Sequence, residues 1–164
     1  MKILSLDTSS KQTGWAIFED GKYIDSGCIN LSNIKDSEER LREMVIRIKE
    51  NFYRQNFDFC VVETPVISRN PKTQRLLTIL FGAVFALNIL FWNKFVFMSP
   101  SEWRKLIDPG KKPRKREELK IWSKEKVHEM FGIDVNDDIA DAILIGVALC
   151  KKIDAKEDFK NNYI

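Results

Sequence analysis

Alternating apolar and polar residues near the start of the chain predict three β-strands in quick succession. The strand-like runs cover residues 2–7, 13–18 and 23–31, and short segments rich in Ser, Lys, Asp and Gly separate them. Connections this short join antiparallel neighbours, because a parallel crossover needs about a dozen residues or more. The chain is therefore expected to begin with two antiparallel hairpins.

Helical periodicity dominates the remainder, with two further strands between the helices. Residues 36–55 place Leu41, Met44 and Ile48 on one face, as in an amphipathic helix. Strands are predicted at residues 58–63 and near Phe95–Met98, where short apolar runs recur. A further helix is predicted at residues 76–92. Another begins at Pro100, is interrupted at 111–113 and resumes from about Lys115 to Phe131, and the last covers residues 137–152.

The order β-β-β-α-β-α-β-α-α predicts an α/β fold with a five-stranded mixed sheet. Hairpin strands supply antiparallel pairs, and strands reached through helices supply parallel ones. Helices are expected on both faces. The chain of 164 residues suits one domain, which we predict over residues 1–153, followed by a loosely held polar tail at 154–164.

The apolar stretch from Leu76 to Trp92 has two interpretations besides a membrane span. It is shorter than the about 20 apolar residues that a span usually needs. We therefore expect a helix buried on nearly all sides and no membrane contact. Gly82 and Ala86 would let a second helix approach closely, which favours a two-fold interface in a homodimer. The alternative is a core helix in a monomer.

Composition and charge indicate a soluble protein with a basic region. The net charge is only +3, but Lys and Arg concentrate between Lys111 and Lys126. A basic segment suits a partner that is a polyanion. Three cysteines lie far apart without a C-x-x-C pair, so reduced thiols are expected rather than zinc ligands. The strand pattern at the N-terminus resembles no signal peptide, which favours the cytoplasm.

Four acids form the most informative chemical pattern. Asp7 and Glu63 each end an apolar strand, while Asp138 and Asp141 lie three apart at the start of the last helix. Helical residues three apart share a face. Acids at the ends of buried elements are costly unless a positive group neutralises them. Clustered together, they would suit two hard divalent cations and hydrolysis of phosphodiesters.

Each acid also has a plain structural interpretation. Asp138 lies where the helix dipole favours acids, and Asn136 and Asp137 are typical capping residues. Asp7 could begin a turn, and Glu63 could face solvent at a strand end. The combination of all four at the ends of predicted elements favours the functional interpretation.

Other catalytic arrangements find little support. His128 is the only histidine and lies in a charged helical segment, which is typical of a solvated side chain. The sequence contains no G-x-x-x-x-G-K-[ST] loop, so nucleotide hydrolysis by a P-loop is excluded. Water activated by a metal ion is the simplest remaining mechanism.

Three motifs resemble the RuvC-type Holliday-junction resolvases. Residues Ile3–Ser9 with Thr13–Ala16 resemble their first hairpin, and Val61–Glu63 resembles their second acidic strand. Asp138–Ala142 resembles their closing D-x-x-D-A helix. The resemblance extends in order and spacing from Met1 to about Cys150.

This resemblance implies a ribonuclease H-like fold, a homodimer and paired nicks in four-way DNA junctions. It also implies two Mg²⁺ or Mn²⁺ ions per active site, held by Asp7, Glu63, Asp138 and Asp141, with Asp7 between the two ions. Thr8–Ser10 departs from the Pro-Gly pair usual in bacterial members. The chain therefore resembles a divergent, phage-encoded relative acting in the cytoplasm of a bacterial host.

Basic residues near the predicted site are candidates for DNA contact. Phosphate contacts give affinity and salt dependence without reading sequence. The alternative is that they only solubilise loops and helix starts. Val66, Ile67 and Trp103 are weaker candidates for wedging between base pairs, since each suits ordinary packing. The predicted DNA-binding residues are Arg69, Lys72, Arg75, Lys111, Lys112, Arg114, Lys115 and Arg116.

Two other functions stay open from the sequence. The same four acids would serve a ribonuclease H-like enzyme that cleaves RNA or an RNA–DNA hybrid. A relative that has lost catalysis would still bind DNA. An actin-like ATPase is excluded, because 164 residues leave no room for the duplicated half that such proteins need.

Overall fold

A computed structural model gives the conformation of most of the chain. It describes residues 1–65, 67, 70–91, 94–110, 112–113 and 115–162, with side chains described to residue 155.

Five strands form one mixed sheet in the order β3-β2-β1-β4-β5. β1 pairs antiparallel with β2, and β2 with β3, whereas β1–β4 and β4–β5 are parallel. The predicted five-stranded mixed sheet is therefore confirmed. The strands are β1 (Lys2–Asp7), β2 (Gln12–Glu19), β3 (Lys22–Asn30), β4 (Phe59–Glu63) and β5 (Lys94–Met98).

Helices cover both faces of the sheet. The predicted interruption between Pro100 and Phe131 is confirmed, but it begins earlier than expected, because the chain leaves helical geometry at Asp108. The helices are α1 (Ser37–Phe52), α2 (Pro71–Phe91), α3 (Pro100–Ile107), α4 (Arg116–Phe131) and α5 (Asp137–Asn162).

Side-chain alternation along the central strands divides the interior into two cores. Ile3 and Val61 point toward the core that includes residues of α3, α4 and α5. Leu4 and Val62 point toward the core shared with α1 and α2. Because successive strand residues face opposite sides, Asp7 lies on the same face as Ile3, toward α5.

The helix α5 packs very closely on the central strands. The buried Ser5 hydroxyl donates a hydrogen bond to the carbonyl oxygen of Ala142 at 2.7 Å. At Gly146, a Cβ would lie only 2.2 Å from the ring of Phe18. These contacts fix the position of α5 across β1 and β2.

The C-terminal end of α5 differs from the prediction. The helix continues to Asn162 instead of ending at Lys152, so the backbone of the predicted polar tail is helical as far as Asn162. Residues 153–162 contain no Gly or Pro that would end a helix.

The apolar helix α2 differs from its predicted environment. It begins at Pro71 rather than Leu76, and Asn70 accepts hydrogen bonds from the backbone N–H groups of Lys72 and Thr73. A helix buried on nearly all sides was a wrong prediction, because α2 packs mainly on α1 and β5 and leaves much apolar surface exposed. The helix is long and apolar enough to cross a membrane, and 22% of its most apolar stretch of 18 residues is buried.

Candidate active site

Two of the predicted acids come together through parallel strand pairing. Leu6 of β1 lies opposite Val62 of β4, so the next residues, Asp7 and Glu63, end neighbouring strands at the same edge. Glu63 lies two residues after Val61, whose side chain belongs to the core beneath α5. Both carboxylates therefore lie on the α5 face of the sheet.

Gly14 of β2 brings the start of α5 to this edge. It lies opposite Asp7 in the antiparallel pair with β1. A Cβ on Gly14 would be 1.9 Å from the backbone oxygen of Asp138, so no larger residue fits without movement. The missing side chain allows the first turn of α5 to reach the end of β1.

A single cleft of about 520 Å³ contains all four acids. The structure thus brings together Asp7, Glu63, Asp138 and Asp141 from β1, β4 and α5, as the sequence predicted.

Burial and mutual repulsion disfavour the charged forms of these acids. Burial raises the pKa of Asp7 well above its ordinary value, and the charges of Glu63, Asp141 and Asp138 raise it further, whereas Arg104 opposes the shift. Burial likewise raises the pKa of Asp138, with a second contribution from Asp137. Positive charge placed in the cleft would stabilise the ionised forms.

Two of the carboxylates accept hydrogen bonds from buried side chains. The indole Nε1 of Trp103 donates to Oε2 of Glu63 at 2.5 Å, and the hydroxyl of Ser123 donates to Oδ1 of Asp141 at 2.5 Å. Burial raises the pKa of Glu63 to about 7, and the Trp103 bond counteracts part of that shift. Burial also raises the pKa of Asp141, with the Ser123 bond acting in the opposite direction.

The capping role at the start of α5 belongs to Asn136. Its side-chain oxygen accepts from the backbone N–H of Ile139 at 2.9 Å, as an N-cap residue does. Asp137 instead forms an ion pair with Lys120 at 2.8 Å. Asp138 is therefore not the cap, although its position in the first turn still benefits from the helix dipole.

Basic side chains line the acidic cleft as well. Arg104 of α3, together with Arg116 and Lys120 of α4, contributes to its wall. The guanidinium of Arg104 lies 4.5 Å from the ring centre of Trp103, and its buried Nε has no hydrogen-bond partner in the described part of the chain. The cleft thus combines ligands for cations with groups that attract phosphate.

Sequence reasoning did not assign site roles to Trp103, Arg104 or Ser123. For Trp103 the sequence favoured ordinary packing over a wedge between bases, and its complete burial confirms the packing. No local motif identifies these residues, because packing on α5 is what brings α3 and α4 to the cleft.

The donor chemistry of the cleft fits hard divalent cations. Four carboxylates supply the oxygen ligands that Mg²⁺ and Mn²⁺ prefer. Burial raises the pKa of each, so a cation in the cleft would favour their ionised forms. Within the described residues, no three His, Cys, Asp or Glu side chains are already gathered closely enough to hold a metal ion. Glu63 and Asp141 each accept a side-chain hydrogen bond through one carboxylate oxygen.

The predicted DNA-binding residues lie in different places. Arg116 lines the acidic cleft, Lys72 and Arg75 lie in the first turns of α2, and Lys115 forms an exposed ion pair with Glu118 at 3.6 Å. The Lys112 ammonium donates to a backbone carbonyl. Outside the described residues lie Arg69, Lys111 and Arg114.

Two further side chains occupy informative positions. Ile67 lies on the wall of the acidic cleft and is 86% exposed, so the expected ordinary packing is wrong for this residue. Val66, the other apolar candidate in that loop, lies outside the described residues. His128 is exposed and hydrogen-bonds to Asp134 at 3.0 Å, which matches the predicted solvated role.

Residues 1–151 match the sequence model of family DUF3882, described as "Lactococcus phage M3 protein". The chain belongs to this family. The match covers all four acids and every strand of the sheet. A phage family agrees with the origin that the sequence predicted.

Comparisons outside the family confirm the RuvC-type resemblance and the ribonuclease H-like fold. The chain is 33% identical over 84 residues to the crossover junction endodeoxyribonuclease RuvC of Ehrlichia ruminantium, a match covering 47% of this chain and 52% of that protein. The chain thus matches about half the length of this curated relative.

Solved structures are similar over nearly the whole chain. RuvC of T. thermophilus in complex with a Holliday junction substrate superposes with a TM-score of 0.74 at 15% identity, covering 94% of this chain and 96% of that one. The Fowlpox virus resolvase with Holliday junction DNA gives a TM-score of 0.61 at 15% identity, covering 93% and 99%. At these identities the similarity shows a common fold.

Proposed function

We propose that this protein is a divalent-metal-dependent endonuclease that cleaves branched DNA, with four-way junctions as its main substrate. The observation that carries the proposal is the meeting of Asp7, Glu63, Asp138 and Asp141 in one cleft. Acids from three separate elements share a buried edge, where their repulsion is costly without a cation. Similarity to resolvases solved with junction DNA supports the choice of substrate.

In this proposal the four carboxylates hold two Mg²⁺ or Mn²⁺ ions. Bound there, the ions would supply activated water and stabilise the leaving 3′ oxygen. The Trp103 and Ser123 donors would orient Glu63 and Asp141. Arg104, Arg116 and Lys120 would draw the phosphate backbone toward the acids and limit charge repulsion between them.

We also propose that the protein acts as a homodimer through α2. Ile79, Phe85, Ile89 and Leu90 are exposed large apolar residues on this helix. Nothing lies within 4 Å of a Cβ placed on Gly82, so a second helix has room to approach there. A patch of this kind is more typical of an interface than of a free surface. Two-fold symmetry would present two clefts to two DNA strands.

A cleavage assay tests the nuclease function directly. Purified protein with Mg²⁺ is incubated separately with a four-way DNA junction, a fork, a flap and an RNA–DNA hybrid. We expect nicks in the junction and a loss of about 100-fold or more in Asp7→Asn, with junction binding retained. Preferential cleavage of the hybrid would instead identify an enzyme that acts on RNA.

The control variant is Asp134→Asn, which removes an exposed acid that pairs with His128 outside the cleft. It is expected to cleave like the wild type. Equal cleavage by the wild type and Asp7→Asn would overturn the proposed chemistry. DNA binding without cleavage by the wild type, at any divalent ion tested, would indicate a relative that has lost catalysis.

A further inference from the structure

A second cleft lies next to the acidic one. It has a volume of about 540 Å³ and lies between the segment before α1 and the start of α2. Thr73, in the first turn of α2, lines both clefts. The two clefts are therefore adjacent along the surface.

The second cleft carries excess positive charge. Lys11, Lys35 and Lys72 are exposed on its walls, and Arg40 lies beneath them. No ion pair engages the side chains of these three lysines within the described ranges of the chain. The one acid among its described lining residues, Asp36, accepts hydrogen bonds from the first backbone N–H groups of α1.

Arg40 contributes a fixed charge to the floor of this cleft. Its side chain is only 7% exposed, and one of its terminal nitrogens donates to the carbonyl oxygen of Ile34 at 2.7 Å. Its Nε is buried and has no hydrogen-bond partner among the described residues. The positive charge of Arg40 is therefore held beneath the three lysines, where it adds to the attraction of the cleft for anions.

The backbone N–H groups at the start of α2 are less available to a phosphate than the lysine side chains of the cleft. The backbone N–H groups of Lys72 and Thr73 already donate to Asn70, at 3.0 and 3.3 Å. Lysine ammonium groups on flexible stems can instead follow a backbone of variable geometry. The chemistry therefore favours contacts to successive phosphates without reading bases.

We propose that this cleft, formed by Lys11, Lys35, Arg40 and Lys72, binds backbone phosphates of the DNA arm that leaves the acidic cleft. The inference rests on the proposed function and extends it to residues that have no role in the chemistry. It predicts that the cleft adds affinity for arms long enough to reach it, and that the rate of the chemical step does not depend on it.

The test compares two double variants with the same loss of charge. Lys11→Gln with Lys35→Gln removes two lysines from the cleft. Lys22→Gln with Lys49→Gln removes two exposed lysines, one at the start of β3 and one in the last turn of α1. For each protein, the Kd for a four-way junction is measured over a range of salt concentrations, with long arms and with arms truncated near the crossover.

We expect the cleft variant to lower the slope of log K against log salt by about 2, since each lost phosphate contact contributes about 0.9. Its Kd for long-armed junctions is expected to rise about 10-fold at moderate salt, and truncating the arms should remove the difference. Single-turnover cleavage at saturating protein should stay within about two-fold of the wild type. The control variant should change neither the slope nor the dependence on arm length.

Two outcomes would overturn the inference, and they can be told apart. If the wild type binds and cleaves junctions while both double variants behave alike, the cleft makes no specific contact and the proposed function stands. If the wild type neither binds nor cleaves branched DNA, the proposed function fails together with the inference.

Discussion

Gly14 lies against the backbone oxygen of Asp138 so closely that a Cβ would come within 1.9 Å of it. Gly14 is also the antiparallel partner of Asp7. A residue without a side chain thus lies between two of the four acids and determines how near α5 comes to β1. The spacing of the acidic cluster depends on this contact between two backbones.

Replacing Gly14 with Ala should displace the start of α5. We expect a loss of about 2 kcal/mol or more in the free energy of unfolding, because an added Cβ meets backbone that cannot rotate away. The rate of junction cleavage should fall by more than the loss of folded protein explains, since Asp138 moves relative to Asp7. Urea unfolding and junction cleavage at a temperature where the variant is folded measure the two effects.

The matched variant is Gly110→Ala, at an exposed position where a Cβ would first meet the side-chain oxygen of Asp108, at 3.0 Å. It should stay within about 0.5 kcal/mol of the wild type, because a flexible surface side chain can move aside. Equal stability of Gly14→Ala and the wild type would contradict the close contact.

The metal-free protein should lose stability as pH rises through the range in which Glu63 ionises. Burial raises the pKa of Glu63 in the folded protein from 4.5 to about 7, so the folded state binds more protons than the unfolded state between these values. Stability is therefore greatest below the unfolded pKa and declines until the pH exceeds about 7. Urea midpoints measured in chelator from pH 5 to 8 test this.

Glu63→Gln should remove part of that decline, because the amide stays neutral. At pH 8 in chelator, we expect it to be more stable than the wild type by on the order of 2 kcal/mol. Glu50→Gln, at an exposed position on α1, should follow the wild type. A wild-type midpoint that rises from pH 5 to 8 in parallel with that of Glu63→Gln would contradict the raised pKa. Mg²⁺ should stabilise the wild type at pH 8 and have less effect on Glu63→Gln.

Trp103→Phe should slow cleavage by removing the donor to Glu63. We expect a fall of about 10-fold, typical of losing a group that orients a metal ligand, with little change in junction binding. The lost bond favoured the charged carboxylate, so the pKa of Glu63 should rise further. Because a cation binds the ionised carboxylate, the pH at which cleavage reaches half its maximal rate should be higher in this variant than in the wild type.

Trp122→Phe is the control for this substitution. Trp122 lies in the same core, with its ring centre 6.3 Å from that of Trp103. It should lose comparable packing energy while keeping the bond between Trp103 and Glu63. Matching losses of cleavage in both variants would mean that Trp103 acts only through packing.

Charges on the exposed face of α2 should dissociate the proposed dimer. Ile89 and Leu90 are 67% and 70% exposed, so replacing both with Glu should not disturb the fold of one chain. We expect the wild type to sediment as two chains and the variant as one. Paired nicks in opposite strands of a junction should become single nicks.

Ile24→Glu provides the comparison, since Ile24 is a 53% exposed apolar residue on β3, at the opposite edge of the sheet. It should leave the mass of the assembly unchanged. A wild type that sediments as one chain, alone and with junction DNA, would overturn the proposal of an α2 interface.

Local patterns in the sequence were sufficient to predict the sheet and to select the four acids that meet in the cleft. Each strand has short-range alternation, and each connection has a length that permits only certain pairings. Asp7 and Glu63 were visible because they end such strands, and Asp138 and Asp141 because they share a helical face. These features depend on residues near one another in the chain.

The surroundings of the acids, in contrast, depended on tertiary packing. Trp103 reaches Glu63 from forty residues away, and Ser123 reaches Asp141 from a different helix. The exposed face of α2 was wrongly predicted as buried, because hydrophobicity alone does not tell whether a helix packs within its own chain or against another surface. The sequence by itself determined which residues carry the negative charge of the cleft. Only the folded structure decided which hydrogen-bond donors and basic side chains surround that charge, because distant elements meet through packing that no local pattern encodes.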